Sequence, residues 1–159
     1  VTCSRLWGDG PVGESSSGHG QIDAVDPVEG VLLQRRHVMV VHADDGMDEI
    51  SICCPTSVAE LKDGQVSSYR IRPEDFGLAT ADISDIRVDG VEQSLAMIQS
   101  VLDNQPGPAL DIVCLNAGAA IYVSGLADSH RQGVEMARQA IADGKARDVL
   151  QKLIDRTNG

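Results

Sequence analysis

A short acidic loop holds the residues whose types and spacing could do chemistry in this sequence. The loop follows the apolar segment "HVMVVHA" and contains Asp44, Asp45, Asp48 and Glu49. Carboxylate oxygens suit Mg²⁺, which usually meets one or two carboxylates together with water molecules and substrate phosphates. The adjacent residues Asp48 and Glu49 can converge on an ion only in a loop, because neighbouring side chains diverge on a strand or a helix.

Three interpretations of this loop stay open from the local sequence. A solvated turn is the commonest structure for acidic residues beside a glycine, and Asp44-Asp45-Gly46 is predicted to be one. The loop could instead be a metal site, because α/β folds commonly bind ligands just after the carboxyl end of a buried strand. It could also be half of a site whose other half lies elsewhere.

Other residues offer weaker chemistry. The histidines at positions 19, 37, 42 and 130 show no metal-ligand spacing, and His42 beside the acidic loop is more readily structural than a catalytic base. The pattern GxxxxGK[ST] does not occur. The segment "GDGPVG" at residues 8–13 is rich in glycine, but no strand is predicted before it and no helix after it. We therefore assign no phosphate-cradling loop within the sequence.

The composition excludes several classes of protein. The 159 residues suffice for one domain, and with 3% aromatic residues its core must be aliphatic. The net charge of −11 argues against a nucleic-acid partner, because the phosphate backbone would be repelled. No apolar stretch reaches the length of a membrane span, so no membrane partner is expected. The 4 cysteines form no CxxC pair, which predicts a reduced, cytoplasmic chain without a disulfide framework.

The sequence changes character at residue 37. Residues 1–36 are rich in Gly and Ser and lack apolar periodicity, which predicts an irregular segment. The run "HVMVVHA" predicts a buried strand. Residues 57–62 and 65–71 predict two more strands, joined by the turn Lys62-Asp63-Gly64, a hairpin signal. Residues 37–159 are therefore assigned to one domain.

Helices are predicted after the strands. Val91–Leu102 carries an apolar stripe at positions 91, 95, 98 and 102. Residues 109–122 are apolar nearly all round, so this helix must be buried on most sides, and the chain supplies few partners for it. Asp128-Ser129 offers an N-cap for the next helix, Gly144 ends it, and residues 145–157 form the last helix. Strands followed by helices indicate an α/β or α+β domain.

Three segments together resemble the C-terminal part of anthranilate phosphoribosyltransferases, over residues 37–153. They are "VMVVHADDGMDEIS", "TSVAELKDGQVSSYRIRPEDFGL" and "DIVCLNAGAAIYVSGLADSHRQGVEMARQAIADGKARDVLQKL". The most specific parts are the "GMDEIS" loop, the "PEDFG" turn and the "LNAGAAIYVSGLADS" helix. The resemblance implies the C-terminal portion of an α/β domain like those of nucleoside phosphorylases and phosphoribosyltransferases.

The resemblance also implies an activity and a metal site. Such enzymes transfer a phosphoribosyl group from phosphoribosyl pyrophosphate (PRPP) to the amine of anthranilate in tryptophan biosynthesis, and release pyrophosphate. In this family the acidic pair of the "DE" motif binds the Mg²⁺ ions that accompany PRPP. Carried over to this sequence, the metal ligands are Asp48 and Glu49. Mg²⁺ would neutralise the departing pyrophosphate.

The sequence departs from the family's pattern in several places. We find no glycine-rich "GTGGD" PRPP loop, no helical N-terminal domain with its homodimer surface, and no residues that hold anthranilate. Residues 1–36 resemble nothing expected before the first strand. In place of "GGDxxEN" the chain has "RVDGVEQ", so both glycines are replaced and Gln93 stands where asparagine is usual. As a truncated piece of such an enzyme, the chain alone is expected to be inactive.

Two alternatives to a phosphoribosyltransferase piece remain. The chain could be a non-catalytic binding or partner module that keeps the same scaffold. It could also be part of an enzyme like pyrimidine nucleoside phosphorylase, which shares the fold and a ribose-phosphate substrate. The "DE" pair and the "PEDFG" turn favour the anthranilate family over the phosphorylases.

Overall fold

The computed structural model describes residues 37–158 and begins with a small antiparallel sheet. β1 (His37–Ala43) pairs with β2 (Thr56–Lys62), and β2 pairs with β3 (Gln65–Ile71), in the order β1-β2-β3. Asp63 and Gly64 have φ angles of 51° and 79°, as a two-residue hairpin turn requires. The three predicted strands are confirmed. The predicted irregular segment, residues 1–36, lies outside the described residues.

Four helices follow the sheet after two 3₁₀ turns, Pro73–Phe76 and Ile83–Asp85. They are α1 (Val91–Leu102), α2 (Pro108–Val123), α3 (His130–Ala142) and α4 (Lys145–Thr157). The Ser129 hydroxyl accepts the Gln132 N–H at 3.2 Å, which confirms the predicted N-cap of α3. All four predicted helices are therefore present, whereas the short 3₁₀ turns were not predicted. Within residues 37–158, every helix is too short or too polar to cross a membrane.

The hydrophobic core lies between the sheet and α2, which contacts β1, α1 and α3. Alternate residues of β1 and β2 are buried, so one face of the sheet supplies the core. Met39, Val41 and Val58 from this face join Leu110 and Leu115 of α2 in one cluster. The core is aliphatic, as the composition predicted.

Helices α2 and α3 cross at two glycines. A Cβ on Gly118 would lie 2.5 Å from the Val134 backbone nitrogen, and a Cβ on Gly133 would lie 2.2 Å from the Gly118 carbonyl oxygen. A side chain at either position would therefore push the two backbones apart. This close crossing gives α2 a partner within the chain, which corrects the expectation that its partners are largely missing.

The apolar stripe predicted for α1 is not the buried face of that helix. Val91, Leu95 and Ile98 have exposed fractions of 84%, 53% and 46%, whereas Val101 is buried. Helical periodicity identifies an apolar row but cannot tell which row faces a neighbour, and here α1 presents a different row to the core. The last helix, α4, likewise exposes Val149, Leu150, Leu153 and Ile154. Exposed apolar surface is therefore concentrated on α1 and α4, not on α2.

Candidate functional site

The acidic loop begins with a tight turn at the end of β1. The Gly46 N–H donates to the Ala43 carbonyl at 3.0 Å, and Gly46 has a φ of 87°, in the left-handed region that favours glycine. The turn predicted for Asp44-Asp45-Gly46 is confirmed. The Asp44 N–H also donates to the Pro55 carbonyl at 3.1 Å, which ties the start of the loop to the segment before β2.

The first two carboxylates of the loop are engaged by the protein itself. Asp44 forms an exposed ion pair with Arg70 of β3. The Asp45 carboxylate accepts the Met47 N–H at 3.1 Å and the Ser51 hydroxyl at 2.6 Å. Partial burial alone would raise the pKa of Asp45, but hydrogen bonds led by that from Ser51 outweigh it and hold the pKa below its usual value. Both side chains therefore serve the structure of the loop.

Asp48 and Glu49 are in the opposite situation. Both are exposed, and neither side chain makes a hydrogen bond or an ion pair within residues 37–158. Partial burial and the neighbouring Asp48 charge raise the pKa of Glu49 above its usual value. Two like charges held side by side without a counter-ion favour the binding of a cation.

The chemistry of this pair fits Mg²⁺. Two carboxylates leave most of an octahedral shell to other ligands, which suits an ion that keeps several waters and meets substrate phosphates. In the described part of the chain, no cluster of three or more His, Cys, Asp or Glu side chains could hold a metal by itself. The pair is therefore an open arrangement that other ligands must complete, and not a closed structural metal site.

The residues that follow the pair anchor the loop in the core. Ile50, Ser51 and Ile52 have exposed fractions of 1%, 1% and 0%. The Ser51 N–H donates to the Thr56 hydroxyl at 3.1 Å, and the Asn116 side chain of α2 bonds the backbone of Ile50. Neither Thr56 nor Asn116 was identified from the sequence. The available signal was a polar side chain inside the otherwise apolar segment that became α2.

The three histidines within residues 37–158 take no part in this arrangement. His42 is exposed on β1 beside the loop, and His37 bonds a carboxylate on β2. The Nε2 atom of His130 lies 2.9 Å from the Leu115 carbonyl oxygen, and burial lowers the pKa of this imidazole. His19 lies outside the described residues.

The segment "RVDGVEQ" has a local structural role. Gln93, to which no role was assigned from the sequence, accepts the Asp89 N–H at 2.9 Å through its side-chain oxygen. This bond satisfies a backbone donor beside the first turn of α1.

A family model described as "Glycosyl transferase family, a/b domain" matches residues 22–147. The chain belongs to this family. The match begins before His37, so the similarity extends further toward the N-terminus than the motifs indicated. The predicted fold class is confirmed: the structure is a partial a/b domain in which strands precede helices.

Within this family the chain is similar to anthranilate phosphoribosyltransferases. The enzyme of Thioalkalivibrio sulfidiphilus is 59% identical over 135 residues, which are 84% of this chain and 40% of the relative. The solved enzyme of Thermus thermophilus is 31% identical with a TM-score of 0.69, over 77% of this chain and 36% of that chain. The Saccharomyces cerevisiae enzyme, solved in complex with PRPP and Mg, shares the fold at 22% identity and a TM-score of 0.66, over 74% of this chain and 34% of that one.

These comparisons confirm the resemblance inferred from the motifs, over part of the enzyme. The chain spans about 40% of the length of the curated relative that it matches at 59% identity. Homology to anthranilate phosphoribosyltransferase therefore holds for a partial region that includes the acidic loop.

Proposed function

We propose that this chain carries the metal-binding half of the active site of an anthranilate phosphoribosyltransferase. The enzyme would transfer the phosphoribosyl group of PRPP to anthranilate in tryptophan biosynthesis and release pyrophosphate. The observation that carries the proposal is the pair Asp48 and Glu49, which lies on an anchored loop and has no side-chain hydrogen-bond partner within residues 37–158, in a chain 59% identical to such an enzyme over 135 residues. Because the chain spans about 40% of that relative, the activity of the whole enzyme is part of the proposal.

Asp48 and Glu49 would act as ligands of Mg²⁺ beside the pyrophosphate of PRPP. When bound, Mg²⁺ would offset the negative charge that develops on the departing pyrophosphate. The contribution of the chain is to hold two carboxylates ready at the end of β1. The buried residues Ile50 and Ser51 fix their backbone, and Asp45 closes the loop on the other side. Little reorganisation is then needed when the ligands arrive.

A polypeptide of these 159 residues should bind PRPP weakly and should not turn it over alone. Phosphoryl and glycosyl donors need a second set of groups that fixes their orientation, and a misplaced donor loses most of the rate advantage. We assign no glycine-rich phosphate loop within the sequence. The proposal also places the protein in the cytoplasm, where its three described cysteines, Cys53, Cys54 and Cys114, stay free thiols. As in the family, the whole enzyme is proposed to be a homodimer.

Calorimetry of PRPP binding with and without Mg²⁺ tests the acidic pair. The wild-type chain should bind with a Kd of about 1 mM or better in Mg²⁺, and the variant Asp48→Ala/Glu49→Ala should show no binding in that range. The matched control is Asp44→Ala, which removes a carboxylate from the same loop but one that pairs with Arg70. Equal binding by wild type and the double variant, or loss of binding in Asp44→Ala alone, would contradict the proposal.

A second function, a non-catalytic partner module, is favoured by one observation. No residue of α4 is buried, and its apolar side chains, with those of α1, are available to another polypeptide. This hypothesis predicts a stable hetero-complex in which both helices become protected from amide exchange. A chain that remains alone or self-aggregates would contradict it.

A further inference from the structure

The side chain of Asn116 binds both backbone polar groups of the residue that follows the acidic pair. Its Oδ1 atom accepts the Ile50 N–H at 2.9 Å, and its Nδ2 group donates to the Ile50 carbonyl at 2.8 Å. The two residues are 66 positions apart in the chain. This amide therefore satisfies the backbone of Ile50 as a neighbouring strand would. It also joins the loop to α2.

The orientation of the Asn116 amide is determined by a third contact. Its Nδ2 group also donates to the Ile112 carbonyl, at 3.1 Å, within α2. Two carbonyls face the nitrogen and one N–H faces the oxygen, so the flipped amide would oppose like groups at all three contacts. The side chain has both of its donors and its acceptor engaged, and it cannot rotate without losing all three bonds.

The acidic pair lies between two such restraints. On one side Asp45 holds the Met47 N–H, and on the other side Asn116 holds Ile50. Only Asp48 and Glu49 lie between the restrained residues, and within residues 37–158 neither side chain has a hydrogen-bond partner. The backbone of the pair is fixed at both ends, while the carboxylates stay available.

The helix that carries Asn116 is itself tightly held. Two residues further along α2, Gly118 meets α3 so closely that an added Cβ would lie 2.5 Å from the Val134 backbone nitrogen. A shift of α2 along or around its axis is blocked at this crossing. Asn116 thus transfers the rigidity of the helical layer to the loop.

We propose that Asn116 is a positioning residue for the metal-binding pair, acting only through the backbone of Ile50. The inference rests on the proposed role of Asp48 and Glu49. Removing the amide leaves both carboxylates in place but lets their backbone sample other directions, so the metal affinity falls although no ligand is lost. Groups that orient metal ligands commonly change the affinity by about 10- to 100-fold when removed.

The test measures binding of Mn²⁺, a paramagnetic substitute for Mg²⁺, to the full chain in the presence of inorganic pyrophosphate. Asn116→Ala should weaken the Kd by about tenfold or more. In the same variant, the amide of Ile50, which loses its acceptor, should exchange faster with solvent, while that of Val41 in β1 is unchanged. Asn116→Leu, which is similar in size and a better helix former, gives the same comparison if the alanine variant folds poorly.

The matched control is Ile141→Val, a core truncation on α3 that lowers stability by about 1 kcal/mol without touching the loop. Wild-type affinity in this variant, with weakened affinity in Asn116→Ala, supports positioning over general destabilisation. Unchanged affinity or unchanged Ile50 exchange in Asn116→Ala overturns the inference, provided that Asp48→Ala/Glu49→Ala abolishes binding. Binding that survives in that double variant instead overturns the proposed metal site itself.

Discussion

Carboxylates of neighbouring segments lie near the two ends of β1, in opposite surroundings. Near the His37 end, the buried Glu60 of β2 accepts hydrogen bonds from His37 Nε2 at 2.6 Å and from the Tyr69 hydroxyl at 2.8 Å. Beyond the Ala43 end, the loop carboxylates at positions 48 and 49 are exposed and have no such partners within the described residues. Glu60, near one end of β1, is therefore fully paired, whereas Asp48 and Glu49, beyond the other end, are unpaired within the described residues.

The surroundings shift the acidity of the two glutamates in opposite directions. Burial raises the pKa of Glu60, but hydrogen bonds from Tyr69 and His37 outweigh it, so the net pKa lies below the usual value of 4.5. Partial burial and Asp48 raise the pKa of Glu49 above the same value. The protein thus stabilises the charge of Glu60 by itself, whereas no hydrogen bond or ion pair within residues 37–158 stabilises the charge of Glu49. This difference separates the structural carboxylate of Glu60 from the carboxylate that we propose as a metal ligand.

The largest effect on stability is expected from Glu60→Ala. The change removes the acceptor of the half-buried His37 and of Tyr69, whose exposed fraction is 36%, and the loss of two hydrogen bonds should lower the free energy of unfolding by about 2 kcal/mol. Urea unfolding followed by circular dichroism measures it. Glu60→Gln, which keeps an acceptor oxygen, should lose less, and pyrophosphate binding should be unchanged in folded protein. A loss below about 0.5 kcal/mol in Glu60→Ala would show that the paired acid is not structural.

A smaller effect is expected from Asp45→Ala, which should lower both the stability of the chain and its affinity for the metal. The loop loses the acceptor for Ser51 and Met47, and because the carboxylate is exposed the loss of stability should be about 1 kcal/mol. The affinity for Mn²⁺ with pyrophosphate should also fall, because the backbone before Asp48 is no longer held by the bond from Met47 to Asp45. Asp45→Asn, which keeps an oxygen for one of the two bonds, is the control. Loss of affinity without faster exchange at the Met47 amide would make Asp45 a direct ligand instead.

Local patterns were sufficient to predict the strands and helices of the described region. The Asp63-Gly64 turn, the Ser129 cap and the apolar periodicity each act over a few residues, so they can be recognised without knowing the fold. Asp48 and Glu49 were identified because they lie within the characteristic "GMDEIS" motif. Its role still rests on the family and on the experiments above.

The supports of the site could not be predicted, because they join residues far apart in the chain. Asn116 reaches Ile50 across 66 positions, and Glu60 reaches His37 across 23. Neither pairing has a periodic signal. The buried face of α1 could not be predicted for a related reason, since Val91 and Val101 lie on different apolar rows and only packing decides which row is buried.

The smallest effect is expected when the free energy of unfolding of Glu49→Gln is compared with that of Glu60→Gln as a function of pH. Glu60, with its lowered pKa, contributes stability that is present above the unfolded value of 4.5 and is lost as the pH falls through its folded pKa. Glu49, with its raised pKa, has the opposite sign: its ionised form opposes folding, and that opposition develops as the pH rises from 4.5 through its folded pKa. Glu49→Gln should therefore stabilise the metal-free chain at pH 7, by less than about 0.5 kcal/mol, and leave it unchanged at pH 4. Glu60→Gln should destabilise at pH 7 and approach wild type in acid. Equal signs for the two variants at pH 7 would remove the distinction between the paired and the unpaired end of β1.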